Sequence, residues 1–492
     1  MELKSCTYAT VTTLGDFGPW INKVVLDLPC VVRANDVNEH TFNIYCARHE
    51  RAGEVLMRKE HGADHAAPSV GYVPVLAAYP CDENGQRLPK GTHVALETPE
   101  VRLTKEIEGG VLGSRYIENR LRVTQLVALP GEDGDDPTAG LVFDRSRGDI
   151  CPALKGWHNA VQQTPVDGIA LEYGYYEPSF EPADSALFNP FAPKDTPAVE
   201  KAPLIVYLHG AGEGKGATQG EGATRAYTGN RVTALSQKQI QRYFGGFAWV
   251  LVPQSPTFWM DNGVEQLGRS NQSIYSSVLK ALIDEFVAEH ADRIDTDRIV
   301  VAGLSNGGFM TLRLCADYPD FFAAGLPCCA PWYNATDEDV AALAKTPLWF
   351  THSKGDELVS PQQTVLPLTA RLRDAGANVH LTYFSHVEDL TGVYREADGS
   401  AKKTFNHGVW IHQFNDLCYQ DFDGGNVLID GEPVGCWEWS ARVSREPSQR
   451  GDRGLALQTS SGMHGLALCA SRCACPCPLR NVCKTKPRSP LR

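Results

Sequence analysis

Four short apolar runs stand out beyond about residue 200. They are Leu204-Ile205-Val206-Tyr207-Leu208, Ala248-Trp249-Val250-Leu251-Val252, Ile299 to Ala302, and Leu348-Trp349-Phe350-Thr351. Each is too short and too rich in β-branched or aromatic residues to favour helix, and uninterrupted apolar character is what a strand buried on both faces requires. Between the second and third runs, Ile274, Val278, Leu282 and Phe286 recur every four residues, which predicts a helix with one apolar stripe. Strands alternating with helices give a mainly parallel α/β sheet from about residue 165 onward.

The first 160 residues follow a different rhythm. Thr41-Phe42-Asn43-Ile44-Tyr45-Cys46 alternates apolar and polar, Tyr72-Val73-Pro74-Val75-Leu76 and Leu121 to Leu126 are further short runs, and Asn84-Gly85 marks a tight turn before Val94-Ala95-Leu96. Short strands without a helical period predict a β-sandwich of immunoglobulin-like size. The expected domains are therefore 1–160, a β-sandwich, and 165–443, the α/β domain. Residues 444–492 hold nine Arg/Lys against two Asp/Glu with no apolar period, and read as a disordered basic, Cys-rich tail.

Composition narrows the function. The net charge of −13 becomes −20 once the tail is set aside, which argues against sequence-independent binding to nucleic acid or an anionic membrane. No run approaches the roughly 20 apolar residues of a membrane span, and the N-terminus lacks a basic segment followed by an apolar one, so a cytoplasmic protein is expected. Cysteines 6, 30, 46, 81, 151, 315, 328, 329, 418 and 436 have no regular spacing and are expected to be reduced thiols. The tail cysteines 469, 473, 475, 477 and 483 match no closed four-ligand zinc site, and no metal is assigned.

The chemistry gathers around Gly303-Leu304-Ser305-Asn306-Gly307, a G-x-S-x-G pattern that follows an apolar strand and precedes the helical segment Asn306 to Ala316. At such a junction a serine is held out as a nucleophile. It needs a base, a carboxylate to orient the base, and donors for an oxyanion. Strand 204–208 runs into His209-Gly210-Ala211-Gly212-Glu213, whose backbone N–H of Ala211, with that of Asn306, would form the oxyanion hole; Gly212 is the alternative to Ala211. Asp356, in the loop after strand 348–351, is the candidate carboxylate, and its neighbour Glu357 reads as solvated surface. Two histidines follow in the required order. His407, just ahead of a helical segment, is preferred to His386, and His412 is expected to pack along that helix. Trp259 is a candidate substrate-binding wall, with core packing as the competing reading.

LHGAGEG, GLSNGGFM, KGDELV and NHGVWIHQFND closing with CWEW together resemble the α/β-hydrolase serine esterases in which an immunoglobulin-like domain precedes the catalytic domain. That group is related to prolyl-oligopeptidase-like, feruloyl-esterase-like and polyhydroxybutyrate-depolymerase-like hydrolases. GPWINKVVLDL followed by TFNIY is similar to the first strands of such an N-terminal domain, so the resemblance covers roughly residues 8–442. It implies a triad of Ser305, Asp356 and His407 and no cofactor. Related sequences carry a histidine followed by a tryptophan-containing helix; here Gly408-Val409 separates His407 from Trp410, which keeps His386 as an alternative. The implied activity is hydrolysis of a small carboxylic ester through an acyl-enzyme, in a chain that could form a homo-oligomer. The alternatives are a prolyl-oligopeptidase-like serine peptidase, for which no propeller-like repeat is visible, and a binding module on an inactive hydrolase scaffold.

Overall fold

The computed structural model describes residues 4–16, 18–51, 53–58, 65–106, 114–130, 137–179, 201–218, 220–392 and 394–445, which lie within one compact unit. The tail cysteines and all but the first two residues of 444–492 lie outside the described residues.

The first sheet has eight strands: β1 (Lys4–Gly15), β2 (Gly18–Arg33), β3 (Phe42–His49), β4 (Val70–Val73), β5 (Ala77–Cys81), β6 (Lys90–Arg102), β7 (Glu118–Gln125) and β8 (Leu141–Ile150). Their order is β4-β3-β7-β8-β1-β2-β6-β5, all antiparallel except the β1–β8 pair. Phe42 and Ile44 of β3 share one buried cluster with Val94 and Leu96 of β6, although four strands separate β3 from β6 in the sheet. The sheet therefore curls around its own core. Hydrogen bonding joins it into one sheet, where the sequence suggested a sandwich. Asn84-Gly85 forms the expected turn, with Gly85 at φ 79° and its N–H on the carbonyl of Asp82 at 3.1 Å.

The second sheet also has eight strands: β9 (Trp157–Val161), β10 (Glu172–Tyr176), β11 (Ala202–Leu208), β12 (Trp249–Gln254), β13 (Ile294–Leu304), β14 (Ala324–Cys328), β15 (Leu348–Ser353) and β16 (Val379–Phe384). They run in the order β9-β10-β12-β11-β13-β14-β15-β16, with β9 and β10 antiparallel and the other six strands parallel. Trp157–Val161 belongs to this sheet, so the expected boundary at residue 160 falls inside a strand.

Every residue of β11 is buried, which is why it reads as an unbroken apolar run. Alternate side chains serve two cores. Leu204, Val206 and Leu208 join one cluster with helix α1 (Ser276–Glu289), helix α2 (Asn306–Asp317) and helix α3 (Val365–Asp374), while Ile205 and Tyr207 join the other with helices α4 (Trp410–Phe414) and α5 (Cys436–Arg442). Each fully buried Leu, Val or Phe side chain contributes roughly 1.5–3 kcal/mol relative to exposure. The stripe of α1 is Val278, Leu279, Leu282, Ile283 and Phe286; Ile274 precedes the helix and is exposed.

The segment Ser114–Tyr116, which pairs with Thr104–Glu106 outside both large sheets, contacts residues 221–228 of the second half of the fold. The backbone N–H of Tyr116 donates to Oε1 of Glu221 at 2.6 Å, Tyr116 Oη lies 2.6 Å from Oγ1 of Thr228, and Nη2 of Arg225 donates to Oγ of Ser114.

Candidate active site

Strand β13 ends at Leu304, and Ser305 turns the chain into α2 with φ 51° and ψ −117°. A non-glycine residue there stores about 1–3 kcal/mol of strain, which the surroundings must hold in place. The amide of Ser305 donates to the carbonyl of Cys328 at 2.8 Å, and the amide of Phe309 donates to the carbonyl of Ser305 at 2.9 Å. Glycine is required on both sides. A Cβ at Gly307 would lie 1.9 Å from the carbonyl oxygen of Leu208, and one at Gly303 would lie 2.5 Å from that of Gly307. These contacts bring the serine turn against the end of β11, where the loop 209–213 begins.

The structure brings three of the expected side chains together. Oγ of Ser305 is 2.8 Å from Nε2 of His407, and Nδ1 of His407 is 2.8 and 2.9 Å from the two carboxylate oxygens of Asp356. Asp356 lies in the turn after β15, its side chain fully buried; Oδ1 accepts from the amides of Leu358 and Val359 at 2.9 and 2.8 Å. Burial pushes this carboxyl up, but hydrogen bonds from His352 and His407, the charge of His407 and the Val359 amide outweigh it and hold the group well below the usual carboxylate range. For His407, burial disfavours the charged ring, while Cys329, the hydrogen bond and charge of Asp356, and Glu357 more than compensate, so its pKa is raised.

His407 sits in the short turn Asn406–Gly408 ahead of α4. Glu357, read from the sequence as solvated surface, is exposed but fastens this turn: its carboxylate accepts from the amide of Asn406 at 3.3 Å, from Nδ2 of Asn406 at 3.0 Å and from the amide of His407 at 3.2 Å. His386 lies elsewhere, bonded to Ser385 at 2.9 Å and Glu388 at 3.2 Å. His412 packs its buried ring 4.2 Å from that of Phe384.

Ala211 opens the short 3₁₀ turn Ala211–Glu213, and Asn306 opens α2. First-turn amides have no acceptor within their own helix, so both N–H groups are free to meet a developing negative charge. His209, which the sequence reading treated only as the start of the loop, fixes this segment. Its Nε2 accepts from the amide of Ser255 at 3.0 Å, which leaves Nδ1 to donate to the carbonyl of Gly210 at 2.6 Å. Burial, partly countered by the Gly210 carbonyl, lowers the pKa of this imidazole to about 4, so it stays neutral.

A cavity of about 310 Å³ opens over Ser305 and His407. Its lining includes the apolar side chains of Leu304, Leu358, Phe405 and Trp410, the polar ones of Ser114, Glu213 and Asn230, and the loop residues Gly210, Ala211 and Gly212. Trp259 is not a wall of this cavity. Its ring is fully buried, 5.1 Å from that of His209, and its contribution is a backbone amide that donates to Oδ1 of Asn306 at 2.6 Å. Trp410 takes the place expected of Trp259 on the apolar wall. Among the described residues, Cys329, Asp356 and His407 are the one grouping of metal-ligand type, but both imidazole nitrogens of His407 are already committed, to Asp356 and to Ser305.

A hydroxyl hydrogen-bonded to an imidazole that is oriented by a buried carboxylate, beside two free amides, is an arrangement for nucleophilic attack on an acyl carbon. A solved structure described as the crystal structure of a thermostable esterase aligns with 89% of this chain and 100% of its own, at TM-score 0.65 and 19% identity. The fold is that of the α/β hydrolases. The coverage extends over both sheets. The model of the prolyl oligopeptidase family matches residues 259–339, a stretch with the serine turn but neither Asp356 nor His407. Poly(3-hydroxyalkanoate) depolymerase C of Paucimonas lemoignei is 30% identical over 164 residues, which are 32% of this chain and 34% of that protein. The match thus spans about a third of that relative's length. No helix among the described residues is long and apolar enough to cross a membrane.

Proposed function

We propose that this chain is a serine hydrolase that cleaves small carboxylic esters through an acyl-enzyme. The observation that carries the reading is the 2.8 Å approach of Ser305 Oγ to His407 Nε2 with Asp356 behind it. Ser305 Oγ attacks the ester carbonyl as His407 takes its proton, and the amides of Ala211 and Asn306 hold the oxyanion. His407 then gives the proton to the departing alcohol, leaving the acyl group on Ser305. Water, deprotonated by His407, repeats the attack and releases the acid. Asp356 keeps the hydrogen of the neutral ring on Nδ1 and stabilises the imidazolium in both halves.

Ester is favoured over peptide by the modest cavity with its apolar Phe405–Trp410 wall, and by relatives named as an esterase and a depolymerase. The prolyl oligopeptidase match favours the second reading, a serine peptidase working through the same triad. Steady-state kcat/KM for a graded series of p-nitrophenyl acyl esters and hydroxycinnamoyl esters, run beside aminoacyl-proline amides, separates the two. The reading expects the esters to win, and preference for the amides would reverse it.

The same proposal divides the chain into a first domain ending before Trp157 and a catalytic domain from there to about residue 443. An immunoglobulin-like kinship of the first rests on its mainly antiparallel strands, which curl around one core. The ten described cysteines, all free thiols, suit a reducing compartment.

A further inference from the structure

Asp356 meets two imidazoles, and the triad uses only one. Nε2 of His352 stands 3.2 Å from Oδ2 of Asp356 and 3.0 Å from the carbonyl oxygen of Val359. A ring nitrogen facing two acceptors must carry the hydrogen. Nδ1 is then a bare lone pair, buried with no hydrogen-bond partner among the described residues, in a side chain with no exposed surface at all. A phenyl ring would fill the same space without stranding a polar atom, so what His352 adds is its Nε2–H.

We propose that His352 is a positioning residue of the catalytic machinery, which fixes the plane of the Asp356 carboxylate and draws off part of its charge, thereby setting the strength of His407 as a base. The inference rests on the triad reading given above. Two amides hold Oδ1 of Asp356, at 2.9 and 2.8 Å, and His352 is the partner of Oδ2 other than His407. Without it the carboxylate is pinned at one end only, and the distances of 2.8 and 2.9 Å to Nδ1 of His407 are free to drift. An N–H donor stabilises the carboxylate, so its removal leaves Asp356 more basic and better able to hold His407 as imidazolium. The other titratable groups facing this pair are Glu357, whose carboxylate takes the amide of His407, and Cys329, whose thiol lies within 4.8 Å of ligand atoms of both Asp356 and His407. Neither contacts the His352 side of the carboxylate through a hydrogen bond. The low pKa of Asp356, to which the His352 bond contributes, agrees with this role.

The test is the pH profile of kcat/KM for a short-chain aryl ester, with each preparation normalised by active-site titration. His352→Phe keeps the ring shape and removes the donor. It is expected to lower kcat roughly tenfold and to move the acid limb upward by up to about one pH unit. His352→Gln carries an N–H of similar reach and is expected to restore the wild-type limb, whereas the shorter His352→Asn is expected to behave like Phe. Should the Phe variant not fold, the Gln and Asn pair decides. A wild-type limb in both Phe and Asn, or Gln as impaired as Asn, would overturn the proposal. Ser305→Ala on the same substrate separates this from the parent reading: residual turnover there would remove the triad itself, while a dead Ser305→Ala beside unshifted His352 variants would remove only His352.

Discussion

Asp356→Asn probes the site where geometry leaves the least freedom. The carboxylate is fully buried and accepts only: two backbone amides at 2.9 and 2.8 Å on Oδ1, His352 at 3.2 Å on Oδ2, and Nδ1 of His407 bridging both oxygens. An asparagine amide has to put its NH₂ at one end. At the Oδ1 position it opposes two backbone N–H groups; at the Oδ2 position it opposes His352. The second orientation also turns Nδ1 of His407 into an acceptor, which moves the ring hydrogen to Nε2. Nε2–H then points at Ser305 Oγ, 2.8 Å away, and the serine has lost its base. The imidazolium of the transition state loses its counter-charge at the same time. Loss of a triad aspartate through the wrong tautomer costs about 10⁴ in kcat, equivalent to about 5.5 kcal/mol of barrier. The assay is p-nitrophenyl butyrate hydrolysis, with circular dichroism and thermal melting showing that the variant is folded. A folded variant within tenfold of wild-type kcat would refute the reasoning, because the base would then not depend on its tautomer.

Because the pKa of His407 is raised and the base acts only when neutral, kcat/KM should climb with pH through a limb above the ordinary imidazole value of about 6.5; a limb below that value would contradict the field described around His407. Trp410→Ala should raise KM and lower kcat/KM by roughly tenfold or more by opening the apolar wall, whereas Trp259→Ala should cost about 3–5 kcal/mol of stability by hollowing the core; denaturant unfolding beside kinetics distinguishes the two. Gly307→Ala sets a Cβ 1.9 Å from the Leu208 carbonyl and should lose about 1–3 kcal/mol or more along with most activity, while Gly71→Ala, with nothing within 4 Å, should unfold and turn over like wild type.

Much of the catalytic sheet was legible because a doubly covered parallel strand leaves an apolar run: 204–208, 248–252, 299–302 and 348–351 lie in or overlap β11, β12, β13 and β15, and polar residues hid the rest of β13 and the end of β15. Strand β13 begins at Ile294, but Asp295, Thr296 and Asp297 break the run. The opening strands β9 and β10 were missed because Trp157-His158-Asn159-Ala160-Val161 carries exposed polar residues at an edge. Strand β8 escaped for a related reason, since Leu141-Val142-Phe143 is buried but the polar residues after it are exposed. Ser305, Asp356 and His407 were placed by order and local context, which sequence carries well. The supports were not. Glu357, His209 and His352 act through bonds to partners that only the fold brings near, such as the amides of residues 406 and 407 or the amide of Ser255. Trp259 and Trp410 are equally aromatic in sequence, and only packing separates the core ring from the one facing the cavity.

The acyl-enzyme is the step on which the account stands. Full-length protein mixed with p-nitrophenyl butyrate, quenched in acid during the first turnover and digested for mass spectrometry, should carry the butyryl group on Ser305, with a burst of p-nitrophenol equal to the adduct. Turnover without any adduct, or a butyryl group found instead on Cys329 or another side chain, would contradict it.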